Sequence, residues 1–440
     1  MGLLIGVGQT RPSFAYDHYY GIEWDSTVSN PTCTRVGKLE LHRELPVQSL
    51  MRRCLVNDNG EVNHYLHAND STKLDTGANA DLSGASGMYE VEIPDMYMRF
   101  ETDGNKNRAL MSAFPLPGFK KWGKCYGSAV EATVDRSVSG TPKLAAVVNT
   151  APEFRGANNN AANDGTDKTG LGMPATSISL TNFRAYARNR GTRWNCNTYG
   201  FQKRLFWLFA IEYATLNSQA AFNAELTSEG YHQGGLCAGA TTLDSGKWSA
   251  FNGYNPFIPC GVTNSLGNKT GVVEYTMPAS YDATETKVSV PSYRGVENPF
   301  GHIWKWTDGI LCEIQADGDG GKSQVFTTDD CEKYASTITS DYKFVSELPR
   351  AEGYVKSIAL GDDGDIMPTV IGGGSTTYFC DYFYTNIPAS GKATRGVLFG
   401  GSAHGGASAG FVYANANYAP SYTYANFGSR LCFEPENREP

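Results

Sequence analysis

The sequence predicts an α+β protein, in which two helices lie within a chain that otherwise consists of short strands and loops. Two segments place apolar residues at helical spacing. Elsewhere short apolar runs alternate with turns, and 49 glycines and 20 prolines among 440 residues supply those turns. Because apolar residues make up 40% of the chain and charged residues 19%, the composition is that of a folded protein.

The first 87 residues predict a small β-rich unit. Turn signals occur at 29–31 and 57–60, and the run VNHYLH at 62–67 is typical of a strand. A connection rich in Gly, Ser, Asn and Asp follows at 75–87. We therefore divide the chain into an N-terminal unit over 1–87, for assembly or attachment, and a ligand-binding domain over 88–440.

The second domain is expected to begin with two strands in MYEVEIPDMYMRFE at 88–101, which are separated at Pro94. The polar, Asn-rich run at 155–170 is expected to be an exposed loop. Short strands are expected over most of the remaining chain, so that the domain combines them with the two helices.

Capping residues and apolar spacing define the two helices. In SLTNFRAYARNRG, Ser179 or Thr181 is expected to cap the first helix and Gly191 to end it. The second helix is predicted from about Gln202 to Leu226. Its apolar residues at helical spacing are Leu205, Leu208, Phe209, Tyr213 and Leu216.

Charge and apolar patterning exclude several classes of protein. The net charge is −8 and no block of Lys and Arg occurs, so a nucleic-acid partner is not expected. The N-terminus lacks the basic region and the long apolar run of a signal peptide. The apolar run at 205–211 is too short to cross a membrane and is flanked by charges, so membrane insertion is not expected.

The ten cysteines show neither a C-x-x-C pair nor zinc-ligand spacing with histidine. They are interpreted as isolated buried thiols, with disulfides as the alternative if the protein ends up outside a cell. No cofactor or metal is expected. The turn DGDGG at 317–321 brings Asp317 and Asp319 together as calcium loops do, but the later ligands of such a loop are missing, which favours a simple acidic turn.

The C-terminal segment has the composition of a binding surface. From Gly396 to Ser429 there is no charged side chain, and Gly, Ala, Ser, Asn, Tyr and Phe dominate. Antibody paratopes use this mixture, because Tyr gives a large rigid contact area and Ser, Asn and Gly give adaptable hydrogen bonds. In an extended chain Tyr422, Tyr424 and Asn426 would share one face. A flexible linker and a prion-like segment are the alternatives, and the strand-like flanks RGVLF and GSRLCF argue against the linker.

This segment resembles the variable region of proteins that are diversified by retroelements, which mutate template adenines. The matching framework residues are Gly400, Gly401, Gly406, Ala407, Ala409, Gly410, Pro420, Ser421, Gly428, Arg430, Leu431 and Cys432. The resemblance implies that the variable region spans 395–433 and that its varied positions contact ligand. Those positions are Ser402, His404, Ser408, Asn415, Ala416, Asn417, Tyr418, Tyr422, Tyr424, Asn426 and Phe427.

The resemblance extends upstream. ENPFGHIWKWTDGI at 297–310 is similar to a segment of the formylglycine-generating-enzyme branch of C-type-lectin-like folds. That likeness implies a C-type-lectin-like fold over about 88–433, with two helices and short antiparallel strands after the β-rich N-terminal unit. It also implies that Trp304 and Trp306 pack in the core, although a role in stacking on ligand is the alternative.

These resemblances imply a non-enzymatic, hypervariable receptor-binding protein of a phage or prophage tail tip. The first 85 residues resemble those of tail-associated proteins of gut phages. A bacterial surface adhesin with the same module is the alternative. An enzyme of the related branch would need a pair of neighbouring cysteines, which the sequence lacks. The expected partner is a host-surface protein or glycan, and a homo-oligomer is expected, with a trimer as one form.

Overall fold

The computed structural model describes residues 14–30 and 32–436. The prediction of an α+β, C-type-lectin-like domain is wrong. About 35% of the described residues lie in strands and 15% in helices, arranged as several antiparallel sheets and a nearly closed eight-stranded barrel. The predicted strands at 88–93 and 62–67 are confirmed, whereas the overall balance of helix and strand is not.

The strands of the described part of the chain are short, and most have two to eight residues. They are β1 (Tyr20–Asp25), β2 (Thr34–Gly37), β3 (Arg52–Val56), β4 (Val62–His67), β5 (Asp70–Leu74), β6 (Met88–Ile93), β7 (Met96–Asp103), β8 (Lys106–Ser112), β9 (Lys120–Trp122), β10 (Cys125–Ser128), β11 (Thr133–Asp135), β12 (Lys143–Ala145), β13 (Trp194–Cys196), β14 (Phe222–Asn223), β15 (Gln233–Gly234), β16 (Gly271–Thr276), β17 (Lys287–Tyr293), β18 (Val296–Glu297), β19 (Trp304–Gln315), β20 (Ser323–Thr327), β21 (Lys343–Glu347), β22 (Gly353–Leu360), β23 (Asp365–Ile371), β24 (Tyr382–Thr385), β25 (Lys392–Phe399), β26 (Ala414–Ala416), β27 (Phe427–Gly428) and β28 (Leu431–Phe433).

The largest sheet forms the barrel. Its strand order is β21-β20-β19-β25-β26-β24-β22-β23, and β27 adds to β19 as a parallel strand. The end strands β21 and β23 lie close to each other, so the sheet is nearly closed. Strands β19 and β25 form its longest pairing, with a bulge between Thr307 and Leu311. The C-terminal segment supplies β25, β26 and β27 and is therefore part of the barrel.

Two further sheets pack beside the barrel. One has the order β2-β1-β8-β7-β9 and the other the order β13-β28-β10-β6-β3-β4-β5. The boundary that the sequence suggests at residue 87 falls between strands of one sheet, because β3 pairs with β6. Three small sheets pair β11 with β12, β14 with β15, and β16 and β18 with β17.

The helices differ from those expected. The α-helices of the described chain are α1 (Leu41–Glu44), α2 (Leu180–Arg188), α3 (Tyr199–Tyr213) and α4 (Ser245–Asn252). Short 3₁₀ helices cover Phe14–His18, Gln48–Leu50, Pro152–Phe154, Ala161–Asn163, Asn264–Leu266, Asp317–Asp319, Cys331–Lys333, Gly361–Asp363 and Gly406–Ser408. The predicted cap of α2 is confirmed, since Ser179 Oγ accepts a hydrogen bond from Asn182 N at 3.2 Å. The helix ends at Arg188, before Gly191.

Helix α3 begins and ends earlier than predicted. Thr198 caps its first turn by accepting from Phe201 N at 3.1 Å. Its last residue is followed by Ala214 in the left-handed region. Beyond it Thr215 Oγ1 accepts from Asn217 N at 3.1 Å, a local side-chain bond that competes with helix continuation. Residues 215–226 are therefore not helical, contrary to the prediction.

The core surrounds α3, which is buried on nearly every side. Trp207 packs on Trp24 and Phe100 of the five-stranded sheet, with ring centroids 5.8 and 5.1 Å apart. On the barrel side Phe209 meets Phe411, with centroids 5.5 Å apart. One apolar core therefore joins the N-terminal strands, α3 and the C-terminal segment. Helix α4 forms a second, smaller core that includes Ala403.

Candidate functional site

The C-terminal segment bends sharply after β25. Gly400 and Gly401 have φ of +94° and +80°, which a residue with a side chain rarely adopts. A Cβ at Gly401 would also lie 2.6 Å from the Tyr413 ring. The bend brings the loop over 402–410 back against β26. Positions of the segment that are distant in sequence are therefore close in space.

A cleft of about 370 Å³ opens between this loop, β26 and the chain before β27. Its lining is aromatic, amide and hydroxyl in character, and among the described residues no Asp, Glu, Lys or Arg lines it. The residues that line it are Tyr254, Trp304, Tyr384, Ser402, His404, Gly405, Tyr413, Asn415, Asn417, Tyr418, Tyr424, Asn426 and Phe427. The volume lies at the lower end of the range for small-ligand sites.

Aromatic rings form the floor and one wall of the cleft. Trp304 is 6% exposed and packs on Tyr413, with ring centroids 4.5 Å apart. Tyr384 continues this wall, with its centroid 5.7 Å from that of Tyr413. Elsewhere in the lining Tyr418 packs on Phe427, with centroids 5.1 Å apart. These rings are held by one another, which fixes their faces before any ligand arrives.

The amide groups of the cleft are only partly satisfied. Asn426 Nδ2 donates weakly to Ser402 Oγ at 3.4 Å, and Asn415 Oδ1 accepts from Asn417 N at 2.9 Å. Within the described chain, the Oδ1 atoms of Asn417 and Asn426 have no hydrogen-bond partner. Asn426 is only 4% exposed. A buried amide with an unpaired end gains free energy from a ligand that supplies the missing bond.

The cleft is uncharged at neutral pH. The ring of His404 packs against those of Trp248 and Tyr254, with centroids 5.6 and 5.5 Å apart. Desolvation of the imidazole lowers the pKa of His404. Burial raises the pKa of Tyr413 and of Tyr418 above the ordinary tyrosine value. The imidazole and the phenols therefore present neutral hydrogen-bonding groups.

Eight of the eleven sequence-predicted positions line the cleft: Ser402, His404, Asn415, Asn417, Tyr418, Tyr424, Asn426 and Phe427. The other three do not. Ser408 lies outside, with Oγ 3.3 Å from Tyr354 Oη. Ala416 is the last residue of β26 and is fully buried. Tyr422 is exposed and stacks on Tyr418 at the rim, with centroids 4.5 Å apart.

The expectation that Tyr422, Tyr424 and Asn426 share one extended face is wrong. Residues 420–426 form turns rather than a strand, and Tyr422 N donates to Ala419 O at 2.9 Å. Tyr422 and Tyr424 are each 42% exposed, whereas Asn426 is buried. The turns leave both tyrosines exposed, with Tyr424 at the edge of the cleft and Tyr422 outside its lining, and they place the amide of Asn426 inside it.

The sequence did not identify several residues that line the cleft. Tyr384 belongs to the aromatic run CDYFYTN, and Tyr413 lies inside the variable segment, but the framework pattern marks neither as a contact residue. Trp304 was expected to be core, and it is both buried and part of the cleft floor. Tyr254 carries no signal in the sequence. Its backbone has a φ of +68°, an uncommon value that holds its ring against His404.

Most of the residues that match the framework pattern in 395–433 are buried. Leu431 and Cys432 lie in β28, and Arg430 donates hydrogen bonds to the carbonyl oxygens of Ser128, Glu297 and Asn298. A Cβ at Gly410 would lie 2.0 Å from Asp381 Oδ1, so this position has no room for a side chain. Ala407 and Ser421 are the exposed exceptions. The segment is joined to the barrel at β25–β27 and to the seven-stranded sheet at β28, and the cleft lies between them.

The acidic turn and the cysteines have structural surroundings. Asp317 pairs with Arg350 at 2.5 Å, and Asp319 Oδ2 accepts from Gly391 N at 2.6 Å. No group of His, Cys, Asp or Glu that could hold a metal ion occurs among the described residues. All ten cysteines lie within the described ranges, and no disulfide joins any two of them. The prediction of buried thiols is confirmed for nine of them, while Cys237 is half-buried.

Over residues 14–30 and 32–436, no helix combines the length and apolar character that crossing a membrane requires.

Comparisons with known proteins add no family to this description. No protein-family profile matches the chain, and no curated protein is similar to it in sequence.

Proposed function

We propose that the chain is a non-enzymatic receptor-binding protein that contacts its ligand through the C-terminal cleft. In this proposal a retroelement diversifies the segment 395–433, and the protein acts at the tail tip of a phage or prophage to select the host. The observation that carries the proposal is the convergence of eight sequence-predicted varied positions on one uncharged cleft. These positions span 26 residues of sequence from Ser402 to Phe427. They lie on different strands and loops, and the cleft is where they meet.

The chemistry of the cleft supports binding rather than catalysis. Its titratable groups are one imidazole and several phenols, and within the described chain none of them contacts a carboxylate or a thiol that would activate it. Tyr422 and Tyr424 are large, exposed and rigid, as the anchor residues of protein interfaces are. A bacterial surface adhesin with the same segment is the competing function. Phage structural genes beside the coding locus would favour the tail-tip role.

The proposal is tested with labelled whole protein and candidate host cells. We expect Tyr418→Ala and Tyr424→Ala each to weaken cell binding by about tenfold or more, since aromatic anchors dominate such interfaces. Phe344→Ala is the matched control, because Phe344 is 52% exposed on β21 and lies outside the cleft lining. Chelator should leave binding unchanged, as no carboxylate of the described chain lines the cleft. Cell binding that is insensitive to both tyrosine variants would overturn the proposal.

A further inference from the structure

The depth and size of the cleft restrict what enters it. Trp304 and Asn426 lie at its floor and are almost fully buried, so a ligand must project a group inwards to reach them. A space of about 370 Å³ accommodates one or two small rings rather than a helix or a strand of a protein. The exposed tyrosines at the rim contact whatever carries that group.

The polar groups of the cleft restrict the chemistry further. An apolar side chain at the floor would leave the Oδ1 atoms of Asn417 and Asn426 without a partner and would cover them, at a cost in free energy. A charged group would enter a site whose described lining offers no counter-charge. The occupant must therefore be neutral and carry several hydroxyl or amide groups.

The aromatic faces supply the remaining requirement. Trp304, Tyr384 and Tyr413 form one group of packed rings in the cleft lining, and Tyr418 and Phe427 form a second. Aromatic rings pack well against the face of an aliphatic ring. The amide groups of Asn417 and Asn426 can then form hydrogen bonds with the substituents of that ring.

From these three constraints we infer that the cleft binds a single neutral sugar ring of a host-surface glycan. The inference rests on the proposed receptor-binding function and names the chemical class of its ligand. The sugar ring packs against the aromatic rings of the lining, and its hydroxyl groups donate to the free Oδ1 atoms of Asn417 and Asn426. Trp304, Tyr384 and Tyr254 lie outside the variable segment, so this half of the cleft is fixed while the varied half selects among sugars.

The experiment measures binding of free sugars to the whole protein by saturation-transfer NMR. The probes are the methyl glycosides of glucose, galactose, mannose, fucose and N-acetylglucosamine, with glucuronic acid and N-acetylneuraminic acid as charged comparisons. A single ring of about twelve non-hydrogen atoms is expected to bind at millimolar concentration. We expect at least one neutral glycoside to bind and both acids to fail.

Two variants locate the site. Asn426→Ala and Tyr424→Ala should each weaken the affinity for that glycoside by about tenfold, as loss of one good contact does. Asn105→Ala, an exposed position in the turn between β7 and β8, and Phe344→Ala are the matched controls and should bind as the wild type does. Equal melting temperatures show that the variants are folded. Should Asn426→Ala unfold the protein, Trp304→Phe replaces it, because phenylalanine keeps the packing on Tyr413 and reduces the face.

The outcomes separate this inference from the proposed function. If no neutral glycoside binds, or if the acids bind equally well, or if the cleft variants bind the glycoside normally, the sugar inference is wrong. If in that case host-cell binding still depends on Tyr418 and Tyr424 and is lost when the cells are treated with protease, the proposed function stands with a protein ligand. If cell binding does not depend on Tyr418 and Tyr424, the proposed function is wrong, whether or not free sugars bind.

Discussion

Replacing Glu131 by Gln is expected to destabilise the protein by about 3–5 kcal/mol, the loss seen when one partner of a buried ion pair is removed. Glu131 Oε1 lies 2.8 Å from Lys305 Nζ, and Glu131 Oε2 lies 2.5 Å from His302 Nδ1. The N–H groups of Phe257 and Ile258 donate to His302 Nε2 at 3.3 Å. Because Nε2 accepts these two bonds, Nδ1 carries a proton and donates it to Glu131. The ion pair that Glu131→Gln would break is therefore the one between the Glu131 carboxylate and the Lys305 ammonium, both of which are buried.

The magnitude follows from the geometry. At an effective dielectric constant of about 20, unit charges 2.8 Å apart attract by about 6 kcal/mol. Gln keeps the shape of Glu131 and avoids its desolvation cost, but it leaves Lys305 buried without a counter-charge, so the net loss is smaller than this attraction. The matched control is Glu274→Gln. Glu274 pairs with Lys287 at 2.9 Å, but their side chains are 62% and 45% exposed, and the expected loss is below about 1 kcal/mol.

Urea unfolding at several pH values measures both variants. Burial by itself raises the pKa of Glu131, but the charge of Lys305 and the contact with His302 outweigh it and lower the pKa from 4.5 to about 2. A folded-state pKa below the unfolded value stabilises the fold above pH 4.5, and this contribution is lost as the pH falls towards 2. The difference between wild type and Glu131→Gln should shrink across that window. A Glu131 variant as stable as the Glu274 variant, or a difference independent of pH, would refute the reasoning.

Three further predictions concern the framework, the cleft rim and the thiols. The double change Tyr422→Ala and Tyr424→Ala should cost less than about 1 kcal/mol of unfolding free energy, whereas Leu431→Ala should cost about 2–5 kcal/mol, both measured in urea. Gly410→Ala should lower stability by about 1–3 kcal/mol because its Cβ would overlap Asp381, and an unchanged urea midpoint would contradict this. At least nine of the ten cysteines should resist a thiol reagent until the protein unfolds, since they are buried and burial raises the pKa of thiols such as Cys312.

The sequence misled on fold class because buried strands need not alternate. The first nine residues of β19 are all buried, so both of its faces are covered. Among them Lys305 and Asp308 look like solvent-facing positions in the sequence. In the structure each is an ion-pair partner, Lys305 of Glu131 and Asp308 of Arg184. Local patterning therefore gave no sign that this run is the longest strand of a barrel.

Helix α3 shows the same limit. Its apolar residues cover every side because it lies in the centre of the core, so their spacing alone could not fix where it begins and ends. Thr198 is a residue type that caps helices, yet the apolar spacing places the start of the helix later in the chain. In α2 the capping residue and the apolar spacing agree, and the predicted cap at Ser179 is confirmed.

The part of the cleft that the C-terminal segment supplies was accessible from sequence, whereas the rest was not. The charge-free composition of 396–429, together with the framework pattern, predicts eight of the residues that line the cleft. Tyr254, Trp304 and Tyr384 come from three other parts of the chain. Strand pairing brings Trp304 and Tyr384 to the segment, whereas Tyr254 meets it through its ring contact with His404. Ala416 shows the reverse error, because its place in the run suggested a contact and its strand buries it.

Sequencing of the segment that encodes 395–433, in many members of one population, tests the central claim most directly. We expect amino-acid differences to concentrate at the cleft positions, foremost Asn417, Tyr418 and Tyr424, and to arise from changes at adenines of the template. Framework positions such as Gly410 and Leu431 should stay constant, because Gly410 has no room for a side chain and Leu431 is buried in β28. Differences spread evenly over the segment, or a segment that is invariant throughout the population, would contradict the account.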